Sequence, residues 1–327
     1  MLDAYRATLY RLVFALAALY NVGFGLWVGF RPHGFFALFG LEPPRDPSLW
    51  ACLGMVIGVY GLAYAYAAWR PAAARPFIAL GLLGKLLGPA GWMLAVARGE
   101  LPVRTFPLIV FNDVVWWMPF ALFLLEGTRA GASARRLAPH LCAGAHALAA
   151  VTMLLVLRPG TEAEPDAARR AAYIAAHPAL WRAGWAIWMA AALSLVAFYA
   201  WWGARLAPAA WGVAAVAVAS AGLAFDLAAE SLFVGWLPEN LDDIAPVGTL
   251  LTGGAANGLY TAAGVILTLG TPALRGGLRV LTWSVWAAGV ALAVAVLAGS
   301  VAGTIAAMAA LMTLFCPWVL LFSRKLP

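Results

Sequence analysis

Lys85 sits in the middle of the apolar run FIALGLLGKLLGPAGWMLAVA, Phe77 to Ala97, and Asp113 lies in the next run, Pro107 to Leu125. A charge near the centre of a bilayer costs from about 3 to more than about 10 kcal/mol. It therefore turns toward the protein interior, finds a partner and marks a solute or proton path. With a helical rise of about 1.5 Å per residue, the two groups differ in depth by about 6 Å, which a lysine side chain can span. An amine and a carboxylate so placed make a gate or binding pair, or else a structural staple. Asn112 precedes Asp113, and Asn21, Tyr60 and Tyr64 fall at compatible depth in the first two runs. One polar pocket with aromatic walls is the expected result, set against the ordinary use of such rings as packing and interface anchors.

The run that carries Lys85 has two further features. Glycines 81, 84, 88 and 91 repeat at 3-4-3 spacing, a small-residue face that lets a neighbouring helix approach closely. Pro89 lacks the N–H that would bond the carbonyl four residues earlier, and that carbonyl belongs to Lys85. A weak point, with a kink, is expected where the charge sits.

A second constellation lies near the C-terminus. Asp226 and Glu230 are four residues apart and share one helix face. Asn257 lies at similar depth in the following run, with Tyr260 and Thr261 one turn further on. Two carboxylates this close repel unless a proton or cation intervenes, so they suit a proton- or cation-responsive site with an amide opposite. Glu230 also has a plainer reading, in which it snorkels outward beside Glu239, Asp242 and Asp243 of the connecting loop.

Other chemistry is missing from the sequence. The four histidines include His140 and His146, whose six-residue separation puts them on different helix faces. There is no HExxH, P-loop, GxSxG elbow or glycine-rich dinucleotide loop, so no metal and no cofactor is expected. A retinal-type Schiff base on Lys85 is disfavoured by its position in the third of ten runs. The three cysteines, Cys52, Cys142 and Cys316, lie in apolar runs and read as small apolar residues without a disulfide framework.

The helices needed to hold these residues in place can be read from composition. Apolar residues make up 64% of the chain and charged ones 11%, against about 25% charged in a soluble domain. Apolar runs of about 20 residues suit membrane helices and not barrel strands. Ten are predicted: Leu9–Phe30, Leu49–Trp69, Phe77–Ala97, Pro107–Leu125, Pro139–Leu157, Leu180–Trp202, Trp211–Trp236, Val247–Leu269, Val280–Leu297 and Ala302–Phe322. The first is too long for a signal h-region. The last two form one long apolar stretch in which AGSVAGT, Ala298 to Thr304, is the only plausible turn. All-α, polytopic architecture is therefore expected.

Ten spans place both termini on one side, and that side carries twelve basic residues against Asp3 and Glu126. The opposite side carries eight basic residues and nine acids, which with Lys85, Asp113, Asp226 and Glu230 completes the 21 and 14 of the chain. Basic residues accumulate on the cytoplasmic side, so the termini are expected there, in the inner membrane. The net charge of +7 comes from residues scattered singly through short loops, which fits orientation and not nucleic acid. A 4+6 division is expected, with a module at 1–126, a polar linker at 127–138 (GTRAGASARR and after) and a module at 139–327. The external segment 158–179 would carry a surface helix over Pro165 to His177.

LYNVGFGLWVGFRP (Leu19 to Pro32), GLLGKLLGPAGW (Gly81 to Trp92) and FNDVVWWMPF (Phe111 to Phe120) resemble a group of uncharacterised bacterial four-helix membrane proteins. The likeness covers about the first 125 residues. It implies that such a module exists as a unit and that Lys85, Asn112 and Asp113 belong to its recognisable phrases, and it brings no activity. The leading functional expectation is a polytopic inner-membrane protein that binds and moves a small solute or lipophilic molecule, with membrane lipids as its surroundings. The alternatives are a membrane enzyme acting on an isoprenoid or lipid, with the same carboxylates as acid and base, and a non-catalytic subunit of a larger complex. Homo- or hetero-oligomers would form through the glycine-rich faces.

Overall fold

The computed structural model describes residues 2–237, 240–272 and 274–326. It is 85% helical, with no strand among the described residues. Among these residues ten helices are long and apolar enough to cross a membrane: α1 (Ala4–Phe30), α2 (Pro47–Trp69), α3 (Arg75–Ala97), α4 (Val103–Leu124), α5 (Arg129–Gly160), α6 (Pro178–Gly203), α7 (Ala210–Gly235), α8 (Leu241–Leu269), α9 (Gly276–Leu297) and α10 (Val301–Lys325). The protein is an all-α, multi-pass membrane protein. Short polar residues start several of these helices, because the first backbone N–H groups of a helix need an outside acceptor. Asp3 accepts from the Arg6 N–H at 2.8 Å, and Asp46 precedes Pro47 at the first turn of α2. At the α9–α10 hairpin Gly299 turns the chain at φ +65°, and Ser300 accepts from the Gly303 N–H at 3.1 Å.

The chain divides into two compact units, Met1–Ala132 and Ser133–Pro327. The segment 127–138, expected as a linker, is helical from Arg129 onward and forms the first turns of α5. Its sequence supplies both a stop and a start. Gly127 adopts φ +78° just past α4, and the Thr128 hydroxyl accepts from the Gly131 N–H at 3.1 Å. A side chain at Gly131 would lie 2.3 Å from the Leu125 carbonyl oxygen, so the turn closes only on glycine. The expected surface helix forms over Ala167–Ala176, with the Asp166 carboxylate accepting from the Ala168 and Arg169 N–H groups. Its side chains are largely exposed, and only Ile174 is buried.

In the first unit α1 and α2 meet backbone to backbone. A Cβ at Gly25 would stand 2.7 Å from both the Gly54 carbonyl oxygen and the Gly58 Cα, and one at Gly61 would stand 2.7 Å from Val22. Between helices in lipid such close van der Waals contact replaces the hydrophobic drive. Phe14, Tyr64, Ile78, Phe120 and Phe123 fill the centre, with the Phe14 and Phe123 rings edge to face at 4.9 Å. At one end the Glu126 carboxylate accepts from Arg6 and from the Tyr10 hydroxyl, each at 2.9 Å. Arg104 donates to the Phe39 and Gly40 carbonyls at the other.

The second unit repeats one device. Trp202, Trp286 and Trp318 each donate an indole N–H to a threonine hydroxyl, Thr271, Thr268 and Thr282, at 2.8–2.9 Å. Each threonine passes its own proton to the carbonyl four residues earlier in its helix. These three rings are thereby buried with their indole N–H groups bonded, whereas the buried indole nitrogens of Trp185 and Trp188 lack a partner among the described residues.

The glycine contact between α1 and α2 gives a paired test. Gly25→Ala should destabilise the protein by about 2 kcal/mol through overpacking, whereas Gly23→Ala, with no atom within 4 Å of the new methyl, should be neutral. Detergent-titrated unfolding of the purified variants measures both, and equal stability of the two would contradict the packing described.

Candidate functional site

The sequence-predicted residues of the first unit gather where α3 meets α4. Lys85 is buried with 4% of its surface exposed, and its amine lies 5.8 Å from the ring centroids of both Tyr64 and Trp116. That distance is within cation–π range. No ion pair with Asp113 closes. The Lys85 amine donates to the backbone carbonyl of Asn112, one residue before the carboxylate.

Three backbone carbonyls explain this arrangement. Val110–Val114 forms a π-helical turn, which widens the backbone of α4 and offers carbonyls to side chains. Phe111 gives its carbonyl to the Trp116 indole at 2.9 Å, and Asn112 gives its own to Lys85. On α3, the Lys85 carbonyl that Pro89 leaves free accepts the Trp117 indole N–H at 2.8 Å. The weak point read from Pro89 is therefore filled by a side chain from the neighbouring helix.

Asp113 is 3% exposed and accepts from the Asn112 side-chain amide at 2.9 Å, while the Asn112 Oδ1 is buried without a hydrogen-bond partner. The carboxylate rests on Gly88, where a Cβ would lie 2.8 Å from Oδ2. Gly81 likewise makes room for the Tyr64 hydroxyl, 2.5 Å from where its Cβ would be. Gly84 and Gly91 face open space, so the 3-4-3 glycine series divides into two pairs with different surroundings. Two of the expected pocket residues stand apart. Asn21, although buried, turns its amide back to the Ala17 carbonyl of its own helix at 2.8 Å. Tyr60 is half-buried and packs beside Tyr64, with ring centroids 6.5 Å apart.

In the second unit Asp226 is 7% exposed and Glu230 fully buried, so the outward-snorkelling reading of Glu230 does not hold. Glu239, which that reading included, lies outside the described residues. Asp226 accepts from the Thr252 hydroxyl through Oδ1 and from the Tyr260 hydroxyl through Oδ2, the latter at 3.2 Å. Among the described residues both oxygens of Glu230 lack a hydrogen-bond partner, and so does the buried Ser231 hydroxyl beside it.

Local structure again sets the geometry. Leu250–Ala256 of α8 is a π-helical turn, and Thr252 lies within it. Gly222, one turn before Asp226, leaves only 3.1 Å between a would-be Cβ and the Tyr260 ring, so the tyrosine can lie across α7. The Tyr260 carbonyl in turn accepts the Tyr199 hydroxyl at 3.0 Å. Asn257, expected opposite the carboxylates, donates its amide to the Gly289 carbonyl of α9 at 2.7 Å instead.

A cavity of about 80 Å³ opens beside Asp226, and its lining includes Thr252, Asn257, Tyr260 and, from α5, His146. The sequence separates His146 from His140 by helix face and gives Thr252 no role. Neither residue carries a motif, and only the packing of several helices around one void brings them to Asp226. No group of three His, Cys, Asp or Glu able to hold a metal occurs among the described residues. Comparison with protein-family models, with curated proteins and with solved structures returns no match.

The Trp117 contact gives a direct prediction. Trp117→Phe strands the Lys85 carbonyl in a water-poor interior and should cost about 1–3 kcal/mol. Unfolding of the variant by the same detergent titration checks it, and an unchanged stability would mean that the freed carbonyl finds its partner elsewhere.

Proposed function

We propose that this multi-pass protein lies in the cell inner membrane, with both termini cytoplasmic, and binds and moves a small solute or lipophilic molecule through the polar interior around Asp226. The topology rests on the basic-residue bias of twelve against two acids on the side of the termini. The observation that carries the functional reading is Glu230: a fully buried carboxyl with both oxygens unbonded among the described residues, one turn from Asp226 on the same helix. No Lys or Arg among the described residues forms an ion pair with either carboxyl. An isolated buried carboxylate is costly, so such a pair is stable when a proton or a bound cation neutralises it. A site that gains and loses positive charge inside a membrane is the equipment of a coupled solute carrier. Lys85 and Asp113, held by backbone carbonyls and a glycine seat, serve the first unit as a gate or structural staple.

Proteoliposomes with a trapped pH-sensitive dye report the proton movement that accompanies solute entry, using a panel of small amines, carboxylic acids and lipophilic cations. Wild-type protein should give a saturable, gradient-dependent signal with at least one member. Asp226→Asn should abolish it while size-exclusion behaviour and helicity remain unchanged. A fully active Asp226→Asn, or a silent wild type, would sink the transport reading.

A further inference from the structure

The chemistry of the Asp226 cavity also narrows what it holds, if the cavity is the solute site proposed above. Its acceptors outnumber what the protein uses. An ionised carboxylate offers about four lone-pair sites, and Asp226 has accepted one hydrogen bond on each oxygen, from Thr252 and from Tyr260. His146 adds another. Its Nδ1 lies 2.9 Å from the Cys142 carbonyl, which can only accept, so Nδ1 carries the hydrogen and Nε2 is an acceptor. The imidazole is 6% exposed and lines the cavity, and no protein group among the described residues bonds Nε2. Trp188, Tyr199, Trp286 and Phe315 contribute aromatic rings to the remaining wall, and no Lys or Arg lines it among the described residues.

Hydrogen-bond acceptors and one negative charge inside aromatic faces recognise a cation that donates N–H and presents C–H to the rings. Hard divalent cations take about six or more oxygens, a shell that aromatic and aliphatic carbon cannot complete. The cavity, of about 80 Å³, has room for a small organic cation beside the carboxylate. We infer that the Asp226 cavity is a binding site for a small ammonium-type cation, ammonium or a methylated amine, held by the Asp226 carboxylate and His146 Nε2 between aromatic walls.

Radiolabelled methylammonium is the probe, titrated by scintillation proximity onto the full chain in lipid nanodiscs. Binding should be saturable, displaced by ammonium and dimethylammonium, and unaffected by equal concentrations of sodium. Asp226→Asn should weaken it at least tenfold. Ala192→Leu, which adds bulk to a cavity-lining position and leaves the carboxylate in place, should do the same. Both variants are scored only where thermal unfolding remains cooperative, and a second filling variant, Ala191→Leu, serves if either fails to fold. Absence of saturable wild-type binding, displacement by sodium at equal concentration, or wild-type affinity in Asp226→Asn each overturns the assignment. If methylammonium fails to bind while Asp226-dependent flux persists in proteoliposomes, the cation class is wrong and the transport reading stands. Binding in nanodiscs without flux of any solute has the reverse meaning.

Discussion

Inside a bilayer no water satisfies a backbone carbonyl that its own helix has released, and this constraint organises the protein. Pro89 releases the carbonyl of Lys85, and Trp117 takes it. The π-helical turn of α4 offers the carbonyls of Phe111 and Asn112, and Trp116 and Lys85 take those. Each of these released carbonyls is answered by a long side chain with an N–H at its tip. The lysine is not stranded in an apolar helix, because its charge replaces a missing main-chain donor on the helix beside it.

The same logic ties both candidate sites to π-helical turns. Asp113 lies within one and Thr252 within another, and Asn257 comes directly after the latter. A π turn inserts one extra residue per turn and rotates the rest of the helix, so a polar side chain can leave the lipid-facing stripe and enter the interior. Such turns recur at functional positions because the irregular backbone exposes groups that a regular helix would hide. Here they allow Asn112 to bond Asp113 through its side chain and Lys85 through its carbonyl, two uses of one residue.

The ten spans were legible in the sequence because apolar runs of about 20 residues and short polar gaps are strong signals. Even the α9–α10 hairpin could be placed, since Gly299 and Ser300 interrupt an otherwise unbroken apolar stretch. The start of α5 was not, because Gly127 and Thr128 compress a stop and a start into adjacent residues that resemble a loop. Lys85, Asp113, Asp226 and Glu230 were visible as charges in the wrong solvent. Asn112 and Tyr260 were named beside them, but the carbonyl that holds Lys85 was not, since backbone carbonyls carry no sequence signature and a π turn has no composition of its own. Thr252 was invisible for that reason, and Asn257, which lines the cavity with Asp226, gives its amide to the Gly289 carbonyl, a partner that no sequence pattern marks.

The indole–threonine–carbonyl relays of the second unit have a consequence for how this chain can change over time. A threonine that drifts to valine leaves a buried indole N–H unbonded, and that single step costs about 1–3 kcal/mol. A tryptophan that drifts to phenylalanine first leaves a smaller ring in a space that Gly264, in the case of Trp286, has already given up. The double replacement restores a fully apolar contact and can be nearly neutral. Trp286 with Thr268, Trp202 with Thr271, and Trp318 with Thr282 are therefore coupled letters, each free to vary only when its partner varies too.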